Sequence, residues 1–269
     1  MDLDLKTNKN NNNILNELIY DRKDKYKIYH LNNKFKNSAI NYLANKYYNC
    51  PETCPQISFF NPELQDIIEW ITPSIERSIE DKLGTICFDY SNKVIGVYTL
   101  VDYFKLKKNP IDRYTNLKKD SNLFKIKEYV NIMEDEVKKI KQYSPKKPYE
   151  IIFKCHFLCD NVSDSNKIKI KGLAENFVTI SLTFHPLIKN NCRAILAEYN
   201  CYSINSVRFG MEFTNFRIII KQDYENFKDI NDTYPFKGIT KWADEKLNIF
   251  GLKNSYITVT ELNKPKSKF

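Results

Sequence analysis

The stretch that decides the fold runs from Tyr149 to Ala174. It reads YEIIFKCHFLCD at 149–160 and, after a polar connection, KIKGLA at 169–174. The first part is rich in branched and aromatic residues, which predicts a long strand over 149–160. The second part opens an apolar series with helical spacing, which predicts a helix over 172–188. A strand that leads into a helix places the exposed amide groups of the helix N-terminus beside the end of the strand.

Alternating strand and helix patterns extend on both sides of this unit. Together they predict a mixed sheet with helices on both faces. The predicted elements, in chain order, are a strand at 26–31, helices at 33–48 and 63–83 with Pro73 kinking or splitting the second, a hairpin at 85–90 and 94–104, a helix at 123–142, the strand and helix quoted above, a strand at 193–199, a short helix at 203–209, and strands at 213–221 and 256–261.

Composition predicts an intracellular globular protein. The chain has 269 residues, of which 42% are hydrophobic, and seven cysteines in no paired pattern. The N-terminus is polar, and no apolar run approaches the roughly 20 residues that span a bilayer. We therefore expect a reduced, cytoplasmic protein without a membrane partner. We expect residues 1–14, rich in Asn, to be a disordered leader, and 15–269 to form a single domain.

Most of the excess positive charge lies in one insertion, around 104–149. This segment has 13 Lys or Arg against 6 Asp or Glu and accounts for +7 of the net charge of +9. Such a segment attracts phosphate, as in nucleic acid, or is a solvated surface. If the segment binds nucleic acid, its aromatic residues would stack on the bases. Aromatic residues at helical spacing more often belong to a core, so nucleic acid is not the favoured partner. These residues are Tyr103, Phe104, Tyr114, Phe124 and Tyr129.

A metal site is not expected from the Cys-His-Cys sequence in the long strand. On a regular strand Cys155, Phe157 and Cys159 share one face while His156 points to the other. The three possible ligands would then not converge on one ion. With three histidines and no nucleophile pattern around them, a hydrolase triad is not expected either.

At KIKGLA the sequence resembles the GNAT acetyltransferases. Their cofactor motif is Arg or Gln, two residues, Gly, one residue, then Gly or Ala, between the fourth strand and the following helix. Lys169, Gly172 and Ala174 occupy these positions, with Lys in place of Arg or Gln. The resemblance implies that the helix N-terminus faces the pyrophosphate of coenzyme A.

Four further motifs occur in the order expected for this family. Asn200 and Ser203 resemble the Asn and Ser that follow the fifth strand, and Asn215-Phe216 followed by Tyr224 resembles Gly-Phe followed by Tyr. The segment 229–236 resembles the loop before the last strand of arylalkylamine-type members. Phe59 to Leu64 resembles their segment with the catalytic glutamate, here Glu63.

The resemblance implies a GNAT-like fold of the α/β class, with a central mixed, mostly antiparallel sheet of about seven strands. It implies an N-acetyltransferase that uses acetyl-CoA and no metal, with a small primary amine, an arylalkylamine or a polyamine, as acceptor. The acceptor pocket would lie between the first two helices and the loop before the last strand, near Phe59, Phe60 and Tyr234. The implied catalytic residues are Glu63 as the base and Tyr202, Ser203 and Ser206 near the departing thiol. The implied cofactor-binding residues are Cys159, Asn161, Lys169, Lys171, Gly172, Leu173, Ala174 and Asn200.

Two alternatives stay open. Val207 stands where many family members have a Tyr, and the loop before Lys169 is longer than usual. The fold can therefore also belong to a catalytically decayed protein that binds nucleic acid or a protein through its basic segment. In the other alternative, the acceptor is a peptide or protein.

Overall fold

The computed structural model describes residues 18–23, 25–160, 162–163, 168–169, 172–183, 185–200, 216–229, 231–250 and 252–262. The strands are β1 (Leu18–Arg22), β2 (Tyr26–His30), β3 (Thr85–Asp89), β4 (Val94–Asp102), β5 (Ile151–Cys159), β6 (Val162–Ser163), β7 (Ile168–Lys169), β8 (Ala194–Asn200), β9 (Arg217–Asp223) and β10 (Asn254–Glu261). The α-helices are α1 (Lys36–Asn49), α2 (Pro55–Ser58), α3 (Leu64–Glu80), α4 (Tyr103–Lys108), α5 (Lys127–Lys139), α6 (Leu173–Thr183), α7 (Pro186–Asn191) and α8 (Ile239–Leu247).

Eight of these strands form one sheet in the order β1-β2-β3-β4-β5-β8-β10-β9, and β6 pairs with β7 in a separate hairpin. Neighbours in the large sheet are antiparallel except β5 and β8, which are parallel. The predicted mixed, mostly antiparallel sheet is therefore confirmed. It has eight strands in place of about seven, because β1 was not predicted.

Helices cover both faces of the sheet because the strands carry apolar side chains on both faces. On β5, the side chains of Ile151 and Phe153 join the core under α1 and α3, whereas Ile152 joins the core under α6. We call these two sides the α1/α3 face and the α6 face. Among the described helices none combines the length and the apolar character needed to cross a membrane.

Two proline residues act differently in the two predicted long helices. The helix predicted at 63–83 is not split at Pro73, since α3 runs from Leu64 to Glu80 and buries one apolar side. The prediction of one helix over 172–188 is wrong, because α6 ends at Thr183 and α7 begins at Pro186. Proline disfavours helical conformation in the residue before it, so a new helix starts at the ring.

The predicted strand 94–104 is two residues too long. β4 ends at Asp102, whose carboxylate accepts hydrogen bonds from the backbone N–H of Phe104 and Tyr149 at 3.0 and 3.1 Å. The first of these bonds caps α4. Helix α8 was also not predicted; it begins after Gly238, whose φ of 89° is one that glycine adopts without strain.

The basic segment is folded into the α1/α3 face. Tyr103, Tyr114 and Tyr129 are at most 4% exposed, and the hydroxyl of Tyr129 bonds the Ser255 hydroxyl on β10 at 2.6 Å. The interpretation of these rings as core residues is confirmed, and stacking on nucleic-acid bases is wrong for all three. The lysines of the segment remain at the surface of this folded unit.

Candidate functional site

The candidate site lies where the two parallel strands separate. β5 and β8 pair from Ile151 with Ala194 as far as Lys154 with Ala197. Both strands then continue, to Cys159 and Asn200, without further pairing to each other. We call this opening the fork. A fork between parallel strands can accept an extended ligand as an additional strand.

The backbone of β5 offers hydrogen-bonding groups to the fork. The N–H of Asp160 donates to the carbonyl of Ile95 on β4 at 2.7 Å, and Leu158 stands opposite Val97. Peptide groups alternate along a strand, so those of Phe157 and Cys159 point to the other side, which is the fork. The backbone groups of Phe157 and Cys159 are therefore open to a ligand that enters the fork.

The start of α6 lies near the end of β5, because Leu173 and Cys159 belong to the same cluster of packed residues. Gly172 has φ of +72°, and a Cβ added there would meet its nearest neighbours at 3.8 Å, so there is room for a ligand to approach the backbone. Its carbonyl accepts the first helical hydrogen bond, from the N–H of Asn176 at 3.0 Å. The side chain of Leu173 is fully buried, so this residue can offer a ligand its backbone alone, while Ala174 is half-buried.

Close packing of α6 on β4 sets the position of this helix start. A Cβ on Gly96 would come within 2.9 Å of the Phe177 ring and 3.4 Å of the Cys159 sulfur. The ring of Phe177 thus occupies the space that any other residue at 96 would need. This contact holds α6 against the strand that forms the fork.

The charges at the end of β5 are mixed. Asp160 forms an ion pair with Lys46 of α1 at 2.6 Å, and Glu175 lies in the first turn of α6. Burial, followed by the negative charges of Asp160 and Glu175, raises the pKa of the Cys159 thiol. Cys159 is therefore a neutral thiol at neutral pH and not a nucleophile.

The remaining expected cofactor and catalytic residues are described incompletely. The backbones of Lys169 and Asn200 lie in β7 and at the end of β8. Asn161, Lys171, Tyr202, Ser203 and Ser206 lie outside the described residues, as does the predicted helix at 203–209.

Glu63 is exposed at the start of α3. Its backbone is extended, and within this described region its carboxylate makes no capping hydrogen bond to the helix. The neighbouring rings of Phe59 and Phe60 contact Trp242 and Phe236 at 5.4 and 5.2 Å between centroids. The two rings that precede α3 thus pack against the segment before the last strand, and Phe60 is itself buried.

Tyr234, the third expected ring of that pocket, is 42% exposed, and the ammonium of Lys228 lies 5.4 Å from its centroid. Tyr234 lies in the same segment of the chain as Phe236.

A bulge in β5 changes the faces on which the residues of the Cys-His-Cys sequence lie. A shift in register between β4 and β5 pairs Thr99 with His156 and Leu100 with Lys154, so Cys155 has no opposite residue. Such a bulge turns two successive side chains to one side. Cys155 packs on the α1/α3 face with His156, and Cys159 on the α6 face.

The expectation that Cys155 and Cys159 share a face is therefore wrong. Across the described residues no three His, Cys, Asp or Glu side chains are grouped to hold a metal ion. The alternation of residues along a strand predicts which side chains share a face. A bulge changes that alternation, and it cannot be recognised from the sequence alone.

Comparison with known proteins shows that this chain is similar to several of them in structure. No family model and no curated protein sequence matches the chain. Among solved structures, the C-terminal condensation domain of Ebony, in complex with beta-alanyl-dopamine, has a TM-score of 0.64 at 12% identity. The match covers 88% of this chain and 99% of that one.

Two acetyltransferases give similar values. Drosophila melanogaster polyamine N-acetyltransferase, which forms N-acetylagmatine, has a TM-score of 0.60 at 10% identity over 88% of this chain and 100% of that chain. Arylalkylamine N-acetyltransferase 2 from Aedes aegypti has a TM-score of 0.55 at 11% identity over 88% and 99%. At such identities the likeness shows the fold. The chain therefore has the fold of the GNAT N-acetyltransferases, as seen in their arylalkylamine and polyamine members.

Proposed function

We propose that this protein is an N-acetyltransferase that moves an acetyl group from acetyl-CoA to a small primary amine, in the cytoplasm. The observation that carries the proposal is the fork between β5 and β8 with Gly172 beside it. An arylalkylamine or a polyamine is the acceptor class that the fold neighbours favour. The cysteines in the described part of the chain form no disulfide, which fits a reducing compartment.

The fork fits the pantetheine arm, because β5 offers backbone groups along an edge with which none of the described strands pairs beyond Lys154. Acetyl-CoA would supply the acetyl thioester. The backbone N–H groups near Cys159 and Asn161 would donate to the thioester oxygen. Amide groups from Gly172 to Ala174, with Lys169, Lys171 and Asn200, would hold the rest of the donor.

The acceptor amine arrives protonated and must lose a proton before it attacks. Glu63 is the proposed base because its exposed carboxylate lies on the acceptor side, next to Phe59 and Phe60. Tyr202, Ser203 and Ser206 are the proposed sources of the proton that the departing thiolate needs.

A calorimetric titration of the protein with acetyl-CoA tests the donor site. Wild-type protein should bind in the micromolar range, and Gly172→Glu should abolish binding, because a side chain and a negative charge then fill the space beside the helix start. The matched control is Gly238→Glu, at a second glycine of positive φ with open space around it, before α8. Absence of binding to folded wild-type protein would refute the proposal.

The catalytically decayed alternative is favoured by one observation, the carboxylate of Glu175 in the first turn of α6, where an anion should bind. The same titration decides between the two. No binding of acetyl-CoA together with salt-dependent binding of nucleic acid would favour the alternative.

A further inference from the structure

A cluster of polar side chains lies at the fork on the α1/α3 face. His156 of β5 contacts Tyr47 of α1 and Trp70 of α3, with ring centroids 5.8 and 5.7 Å away. The guanidinium of Arg113, from the basic segment, lies 5.3 Å from the centre of the Trp70 ring. Ser74 is one helical turn after Trp70 on the same buried side of α3. We call Tyr47, Trp70, Ser74, Arg113 and His156 the fork cluster.

Three members of the fork cluster have a buried polar atom for which the described residues supply no hydrogen-bond partner. These atoms are the indole N–H of Trp70, the hydroxyl of Ser74 and Nε2 of His156. The three residues are 6%, 0% and 3% exposed. A buried polar group without a partner destabilises a fold, so proteins keep few of them without a ligand or water to satisfy them.

The chemistry of these atoms favours an oxygen acceptor. The indole N–H of Trp70 can donate but not accept. Nδ1 of His156 lies 3.0 Å from the Tyr47 hydroxyl; when Nδ1 accepts that bond, Nε2 carries the proton and donates. The serine hydroxyl can donate as well.

The charges around the cluster favour an anion. Burial lowers the pKa of His156 well below its usual value, and the positive charges of Arg113 and Lys154 lower it further. The imidazole is therefore neutral at neutral pH, while two cations act on it. A negative group bound here would interact favourably with both cations.

We infer that the fork cluster binds a carboxylate, so that the acceptor is an amine that also carries a carboxylate, of the amino-acid type. This inference rests on the proposed function. It narrows the acceptor to a primary amine with a carboxylate, because that carboxylate is the group that would interact favourably with Arg113 and Lys154.

Pairs of an amino acid and its decarboxylated amine test the inference, because each pair differs in one carboxylate. Tyrosine and tyramine, arginine and agmatine, and ornithine and putrescine would be compared as acceptors. In at least one pair, we expect kcat/KM for the amino acid to exceed that for the amine by about tenfold or more. A difference of this size is typical of hydrogen bonds to a charged group. A preference for the amine in all three pairs would overturn the inference.

Two serines on α3 give a matched pair of variants. The hydroxyl of Ser74 has no partner in the described part of the chain, whereas that of Ser78, equally buried, accepts a hydrogen bond from the N–H of Leu100 at 3.2 Å. Ser74→Ala should raise the melting temperature and lower kcat/KM for the preferred amino acid by about tenfold. Ser78→Ala should lower the melting temperature and leave the ratio between amino acid and amine unchanged. Equal ratios in wild type and Ser74→Ala would contradict the role of Ser74.

Trp70→Phe removes the indole donor and keeps a ring. We expect it to abolish the preference for the amino acid, with the larger change in KM.

A measurement of binding separates this inference from the proposed function. The ¹⁵N resonance of His156 Nε2 would be followed during titration with each amino acid and amine, without a donor and with coenzyme A. A saturable shift with the amino acids alone is the expected result. If acetyl-CoA fails to bind but this shift occurs, the proposed transferase function fails while the carboxylate site stands. No shift with any amino acid overturns the carboxylate site.

Discussion

At the scale of the residue, one carboxylate lies beside the helix start where we propose that the donor binds. Glu175 lies in the first turn of α6, and its Oε2 is 3.8 Å from the place that a Cβ on Gly172 would take. A negative side chain in this turn interacts favourably with the helix dipole. It therefore opposes the binding of a phosphate at the same amide groups.

Glu175→Gln should strengthen the binding of acetyl-CoA by about two- to tenfold, because the repulsion between carboxylate and phosphate is removed. Calorimetric titration at low salt measures the change. Glu245→Gln on α8, where the carboxylate pairs with Lys241 at the surface, is the control and should have no effect. An unchanged affinity in Glu175→Gln would show that the phosphates bind elsewhere.

At the scale of the element, the position of α6 depends on one contact with the sheet. Gly96→Ala should lower the free energy of unfolding by about 1–3 kcal/mol, because the added methyl group overlaps the Phe177 ring. It should also weaken acetyl-CoA binding, since the start of α6 moves. Chemical denaturation and calorimetry measure the two effects. The double variant with Phe177→Leu should recover part of both, and additive losses would exclude this contact as the cause.

The helix of the basic segment is attached to the sheet through Tyr129. Its hydroxyl and that of Ser255 are buried and bonded to each other, so Tyr129→Phe should cost about 1 kcal/mol. A double-mutant cycle with Ser255→Ala, followed by urea unfolding, measures the coupling. No coupling would place the stabilisation in the ring contacts with Tyr224 and Phe236 instead.

At the scale of the whole molecule, all three histidines of the chain are buried and have lowered pKa values. Burial, with the neighbouring His185, lowers the pKa of His30 to about 4, and burial lowers those of His156 and His185. The ring of His185 is also held by the carbonyl of Lys82 at 2.6 Å. These imidazoles are neutral in the folded protein near neutral pH.

The stability of the protein should therefore fall as the pH is lowered below about 6.5. Below this pH the three histidines of the unfolded chain bind protons, whereas the buried histidines of the folded chain stay neutral. Protonation therefore favours unfolding. Urea unfolding at pH 7 and pH 5.5, above the range of most carboxylates, measures the loss. His30→Gln should reduce the dependence on pH, and an unchanged dependence would refute the role of His30.

Local patterns in the sequence were sufficient to predict the sheet, its class and most of its elements. The spacing of apolar residues predicted α1, α3 and the strands from β2 to β5, because burial on one or both faces leaves a period in the chain. β1 and α8 were not predicted because they are short or largely exposed. The division between α6 and α7 was not predicted because the effect of Pro186 on the helix was not considered.

The sequence by itself determined the fold, and it also indicated where we propose that the donor binds, since the strand at 149–160, Gly172 and the following helix are neighbours in the chain. The tertiary structure alone decided where the fork opens, which residues face it and on which side His156 lies. A strand's pairing partner and a bulge depend on residues far away in the chain, such as Thr99, Ala197 and Trp70. These long-range contacts leave no local period, because they are set by packing between elements and not by the residues of one element.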